Sequence, residues 1–349
     1  MFARLTDFQL TLLRFTLAMT LAIGVAATYN WSLAYLLPVL LSKFLVGRQA
    51  PTWHTVFELV LAMLCLLGIA VIASAGLVQY PLPMLLTIGL LMFWCYYGFI
   101  DPKWNFLATL VLVGAVMIPL FGEGASSRSL LVALGITTSG CVAIVLYILV
   151  HMLVPHRKSE EVEPRALPSQ KQRVTESIRA LVIAFPVVLY VYWLGSIDYL
   201  LMMIFAVILS LQVTVENSAK VSIFLLLTNT VGGLVALVTL TLITLNPNLY
   251  FYLLLTGSIV FLTSKQIFSQ GQKAAIYAGI FDAFLVILLS TTQSPDSDFS
   301  ATFYQRIAQI LAVSVYMILA AGIMDFYMAK PRFKQAHDSE EVTPASIKD

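Results

Sequence analysis

The chain has 349 residues, of which 60% are hydrophobic and 11% charged, with a net charge of +2 and a mean hydropathy of +0.90. A soluble domain carries about 25% charged residues, and no aqueous core of this length absorbs so much apolar surface, which excludes a sizeable soluble catalytic domain. A bilayer does absorb it, because each spanning helix needs roughly 20 apolar residues, and the small net charge gives no reason to invoke nucleic acid.

In chain order, apolar runs fall near residues 8–29, 31–46, 55–76, 82–99, 104–121, 128–154, 174–195, 197–213, 218–244, 248–264, 272–290 and 302–328. They predict an all-α polytopic membrane protein of about 12 transmembrane helices. The second and eighth runs are short, and the second contains Pro38. Pro119 and Pro186 lie inside other runs, where the missing backbone donor predicts a kink. The first run follows Arg4 without a small-residue cleavage site and reads as a retained span. Between the sixth and seventh runs, Pro155 to Arg173 is charged and holds Pro155, Pro164 and Pro168. The predicted organisation is a first six-helix repeat over 1–154, a cytoplasmic linker over 155–173, a second six-helix repeat over 174–328 and a polar, disordered cytoplasmic tail over 329–349.

Lys and Arg set the orientation. With the N-terminus inside, Arg4, Lys43, Arg48, Lys103, the linker cations, Lys220, Lys265, Lys273 and the tail cations fall inside, and only Arg128 and Arg306 fall outside. Both termini are then cytoplasmic. The largest outer loop, TTQSPDSDFSAT from Thr291, is polar and mildly acidic and reads as a solvated loop or as a surface that touches another protein.

The halves read as a duplication. Arg179 stands 165 positions after Arg14, and Gly233 stands at the same shift from Gly68. With a one-residue gap, Ser32-Leu-Ala-Tyr35 falls on Ser196-Ile-Asp-Tyr199, and SEEVEP from Ser159 is echoed by SEEVTP from Ser339. An even number of spans per half gives both the same orientation, hence a pseudo-two-fold axis along the membrane normal and a pathway between the halves.

Ionisable groups in hydrocarbon need a reason to be there. Arg14 and Arg179 occupy matching places in the first and seventh runs. Two such arginines facing one cavity would bind an organic anion, since guanidinium holds a carboxylate in a bidentate fork; the alternative is snorkelling to headgroups. Asp282 lies nine residues past Lys273, roughly 13 Å deeper at 1.5 Å per residue. A carboxylate in hydrocarbon is driven toward its neutral form, and a group that takes and releases a proton there can couple a membrane cycle; the alternative is a structural aspartate in a helix contact. Glu58, one turn after His54, is a candidate for an ion pair with Arg14 or for capping a helix start. Gly232, Gly233 and Gly68 suggest close helix crossings.

Cys65, Cys95 and Cys141 sit inside apolar runs without metal spacing. No His/Cys/Asp cluster has ligand spacing, so no metal or other cofactor is expected. The chain has no P-loop, GxSxG or HExxH, so nucleotide hydrolysis is excluded as its energy source, and a membrane enzyme is the least favoured class.

The loop SKFLVGRQAPTWH lacks the acidic residue of the major facilitator signature. The segments LLRFTLAMTLAIGVAATYNWSLAYLLPVLLS and KAAIYAGIFDAFLVILLS, in a six-plus-six layout, instead resemble the fusaric acid resistance and aromatic acid exporter group of bacterial inner-membrane proteins, in its compact branch without a large cytoplasmic domain. The resemblance implies an inner-membrane exporter of organic anions, aromatic carboxylates among them, with a periplasmic adaptor protein of the membrane-fusion type. Related plant anion channels have six spans per subunit and work as dimers, so the chain looks similar to a fused pair; a homo-oligomer stays open. Three readings follow: a proton-coupled secondary transporter, a passive anion channel, and a non-transporting anchor of an adaptor complex.

Overall fold

The computed structural model describes residues 6–47, 51–122, 125–154, 168–211, 215–269, 273–293 and 299–340. Most of the expected linker, from 155 to 167, the middle of the acidic outer loop, 294–298, and the end of the tail lie outside these residues. Among the described residues the chain is all-helical: α1 (Asp7–Tyr29), α2 (Leu36–Gly47), α3 (Trp53–Ser74), α4 (Pro81–Phe99), α5 (Asn105–Phe121), α6 (Ser126–Leu153), α7 (Gln170–Leu194), α8 (Leu200–Leu209), α9 (Val215–Leu245), α10 (Leu249–Ile267), α11 (Ala274–Gln293) and α12 (Phe299–Glu340). Each falls on one of the apolar runs, and α12 continues past the expected boundary at 328.

Eight of these helices, α1, α3, α4, α6, α7, α9, α11 and α12, are long and apolar enough to cross a membrane. The others fall short for visible reasons. At 12, 17 and 10 residues, α2, α5 and α8 are short, and the last turns of α10 carry Lys265 and Gln266. At 1.5 Å per residue α2 is about 18 Å long, well under the roughly 30 Å of hydrocarbon.

Local sequence starts and stops α1 and α7 in the same way. Thr6 accepts from the Gln9 backbone N–H and Gln9 reaches back to Thr6; Ser169 and Gln172 repeat this capping box at α7. Each helix ends on a left-handed residue, Asn30 with φ 40° and Gly195 with φ 60°, a conformation that asparagine and glycine adopt most readily.

Side-chain contacts fix the direction of the helices. Call the end of the bundle where α1 begins the basal face. The Arg14 Nε–H donates to the Val154 carbonyl at the end of α6. Phe44 near the end of α2 packs on Phe106 at the start of α5 and on Tyr147 of α6. Phe15 of α1 packs on Phe268, just past α10, and on Phe281 of α11. Thus α1, α5 and α11 begin toward this face, and α2, α6 and α10 end there. At the opposite end, a Cβ on Gly122 would meet Ser129 Oγ and Val78, so the end of α5, the start of α6 and the α3–α4 turn lie together.

The turns into α2 and α8 sit inside the bundle. The Trp31 indole N–H donates to Ser139 Oγ at 3.0 Å, and the Ser139 hydroxyl donates to the Leu33 carbonyl at 3.0 Å. Ser139 is 13 residues into α6, about 20 Å from its start. In the second half, the Gln309 side-chain amide of α12 donates to the Asp198 carbonyl just before α8, and Gln305 reaches the same oxygen at 3.4 Å. Irregular backbone at membrane depth is tolerated only where protein satisfies its polar groups, and Ser139 and Gln309, both buried, do that here.

Packing relations recur between the halves. α1 packs on α2, α6 and α10, and α7 packs on α8, α12 and α4. α3 packs on α5 and α6, and α9 packs on α11 and α12. α2 reaches across to α11, and α8 reaches across to α5.

Candidate functional site

Two four-helix quartets lie where the halves meet: α1, α2, α10 and α11, and α7, α8, α4 and α5. The first holds an ion pair. Asp282, in the ninth position of α11, presents Oδ2 to the Lys43 ammonium of α2 and accepts from Ser42 Oγ on Oδ1 at 2.7 Å. Both carboxylate oxygens are therefore engaged by α2. The Asp282 side chain is 15% exposed and the Lys43 side chain 52%. This is a half-open pair, so it holds α2 to α11 by about 1 kcal/mol rather than the several kcal/mol at stake in a fully buried one.

The pair changes what the sequence suggested for Asp282. A lone carboxylate held neutral by hydrocarbon is replaced by one matched to a cation. Lys43 counts as a loop cation in a positive-inside tally, but α2 is short and begins within the bundle, so Lys43 falls inside the helix and its side chain reaches α11. In the same quartet Phe15 packs on Phe268 edge-on at 5.3 Å and on Phe281 in a tilted contact at 5.5 Å.

The second quartet holds a cavity of about 290 Å³, lined by Tyr96 and Phe99 of α4, Asn105 of α5, Glu176 and Ala180 of α7, and Ser210 after α8, among others. Tyr96 and Ser210 are hydrogen-bonded through their hydroxyls at 2.7 Å. Arg173, one turn before Glu176, points elsewhere: its guanidinium lies over the Tyr97 ring at 4.2 Å and donates to the Tyr97 carbonyl at 3.0 Å. One cavity serving both Arg14 and Arg179 is not what this quartet offers, for neither arginine lines it.

Arg14 is 5% exposed and caps the end of α6 through Val154, the place where a cation meets the unpaired carbonyls and negative end of a helix. Arg179 is half-buried in α7. Glu58 is fully buried, and its Oε1 accepts from the Leu107 backbone N–H in the first turn of α5, so it caps the start of a neighbouring helix rather than its own. Gly232 is a close crossing: a Cβ there would lie 2.6 Å from the Ile280 carbonyl of α11. Gly68 is not, since a Cβ there meets nothing within 4 Å; Gly135, whose Cβ would lie 2.5 Å from the Ser32 carbonyl, is a close approach that the sequence did not single out. Lys43, Ser42, Ser139 and Gln309 were also missed. A serine or glutamine in an apolar run was the one available signal, and it does not reveal a partner.

Among the described residues the fold is that of an all-helical membrane protein. Among known families, one described as "Protein of unknown function (DUF2955)" has a model that matches residues 11–150, from within α1 to within α6. No curated protein and no solved structure matches the chain.

Proposed function

We propose that this protein is a secondary transporter that exports organic anions, aromatic carboxylates among them, across the bacterial inner membrane, coupled to protons at Asp282. The observation that carries the reading is the Lys43–Asp282 pair, an acid and a base set among apolar helices and joining α2 of one half to α11 of the other. Ionisable groups in such a place are costly and mark ion or proton pathways.

A proton reaching Asp282 neutralises the carboxylate and removes the charged hold of α11 on α2. Arg14, Arg179 and the freed Lys43 supply the positive potential that draws the anionic end of the substrate from the cytoplasm. The recurring packing relations, the matched capping boxes of α1 and α7 and the alternating helix directions support two parallel six-helix repeats around a pseudo-two-fold axis along the membrane normal. On this reading all twelve helices alternate in direction, and α2 and α8 turn back inside the bundle. The excess of Lys and Arg on the basal side supports both termini being cytoplasmic. The resemblance to aromatic acid exporters extends the reading to a periplasmic membrane-fusion adaptor docked on the outer loops.

Uptake of labelled benzoate into inside-out vesicles, with and without an imposed pH gradient, tests the class. Gradient-accelerated uptake is the expected result. Uptake that follows the benzoate gradient and ignores pH identifies a passive channel. Absence of uptake of any aromatic carboxylate leaves the adaptor-anchor reading in its place.

A further inference from the structure

Ala180 follows Arg179 as Phe15 follows Arg14, in helices that start and stop alike. Phe15 is 1% exposed and plugs its quartet against Phe268 and Phe281. Ala180, at the matching place in α7, lines the cavity. The larger side chain at this matched place sits among packed rings in the first quartet, and the smaller one borders the cavity of the second.

The lining selects the charge of what enters. Its hydroxyls are already engaged: Ser210 with Tyr96 and the Val207 carbonyl, and Ser177 with the Arg173 carbonyl. Arg173 is held on Tyr97. Glu176 is the one ionisable carboxylate among the lining residues, and neither Lys nor Arg is among them. A carboxylate that is the one charged group among the lining residues, beside aromatic walls, repels anions and attracts ammonium groups through charge and through the ring faces. The volume is near the lower bound of ligand pockets and suits a single ring with a short arm.

We propose that this cavity is a binding site for a small organic cation, a primary aromatic ammonium, held between the Glu176 carboxylate and the rings of Tyr96 and Phe99. The site is separate from the Lys43–Asp282 quartet and does not rest on the anion-export reading, so the two succeed or fail independently.

The test is calorimetric titration of the purified full-length protein in detergent with benzylammonium chloride and, separately, sodium benzoate. Wild type is expected to bind benzylammonium and to prefer it over benzoate. Ala180→Phe, which copies the plug of the first quartet, and Glu176→Gln, which removes the charge, are each expected to weaken benzylammonium by about tenfold or more, near 1.4 kcal/mol. Thermal melts report whether each variant is folded. Should Ala180→Phe fail to fold, Glu176→Gln with Glu176→Asp as a partial rescue decides the matter. No benzylammonium binding by wild type, equal binding of benzoate that Ala180→Phe abolishes, or benzylammonium binding untouched by Glu176→Gln overturns the proposal.

Discussion

Phe15 shows how much a single position carries in this fold. Its ring is buried against two others at the junction of the halves, so Phe15→Ala removes a fully packed aromatic and opens a hole opposite the natural one. We expect it to cost about 3–5 kcal/mol, read as a lower midpoint of denaturation in detergent. Ser139 is smaller but has two duties, accepting from the Trp31 indole and donating to the Leu33 carbonyl. Ser139→Ala leaves both without that partner at depth, and the expected loss is about 2 kcal/mol or more, with Ser139→Thr retaining part of it if its extra methyl is accommodated. At this scale the sequence was legible for charge and silent about partners. Arg14, Arg179, Glu58 and Asp282 stand out because ionisable groups are rare in apolar runs. That Arg14 meets a backbone carbonyl 140 positions away, or that Asp282 meets Lys43 at 239, leaves no trace in residue type or spacing.

Among the elements, all twelve were legible as apolar runs, because a run of apolar residues is what the bilayer requires of a helix. Their depth was not. A positive-inside count assumes that each run crosses, yet α2 and α8 begin on turns held inside the bundle by Ser139 and Gln309, and periodicity carries no information about such a turn. Glycines separate legible from illegible in the same way. A Cβ at Gly232 would meet backbone of α11 at 2.6 Å and Ala283 at 2.8 Å, where nothing flexible can give. Gly232→Ala is expected to push α9 from α11 and to reduce the monodisperse yield on size exclusion. Gly68→Ala, with open space around it, is expected to be neutral or to stabilise by up to about 1 kcal/mol through helix propensity. Similar damage from both would contradict the close crossing assigned to α9 and α11.

For the whole molecule, the decisive feature is that each half sends a short helix onto the other, α2 onto α11 and α8 onto α5. Two halves joined in this way should not depend on their linker. Co-expressed as residues 1–154 and 168–349, they are expected to co-purify through an affinity tag on one piece, and recovery of the tagged piece alone would count against the cross-half packing. The same feature places Lys43 and Asp282 on opposite sides of the junction, which is where the proposed mechanism has its proton act. The most direct measurement is pH-gradient-driven uptake of labelled benzoate into inside-out vesicles by Asp282→Asn beside wild type, with equal amounts of folded protein. The proposed mechanism requires that the variant lose the response to the gradient while downhill uptake persists. A variant that responds to the gradient as wild type does would show that Asp282 is a structural partner of Lys43 and that the proton site lies elsewhere.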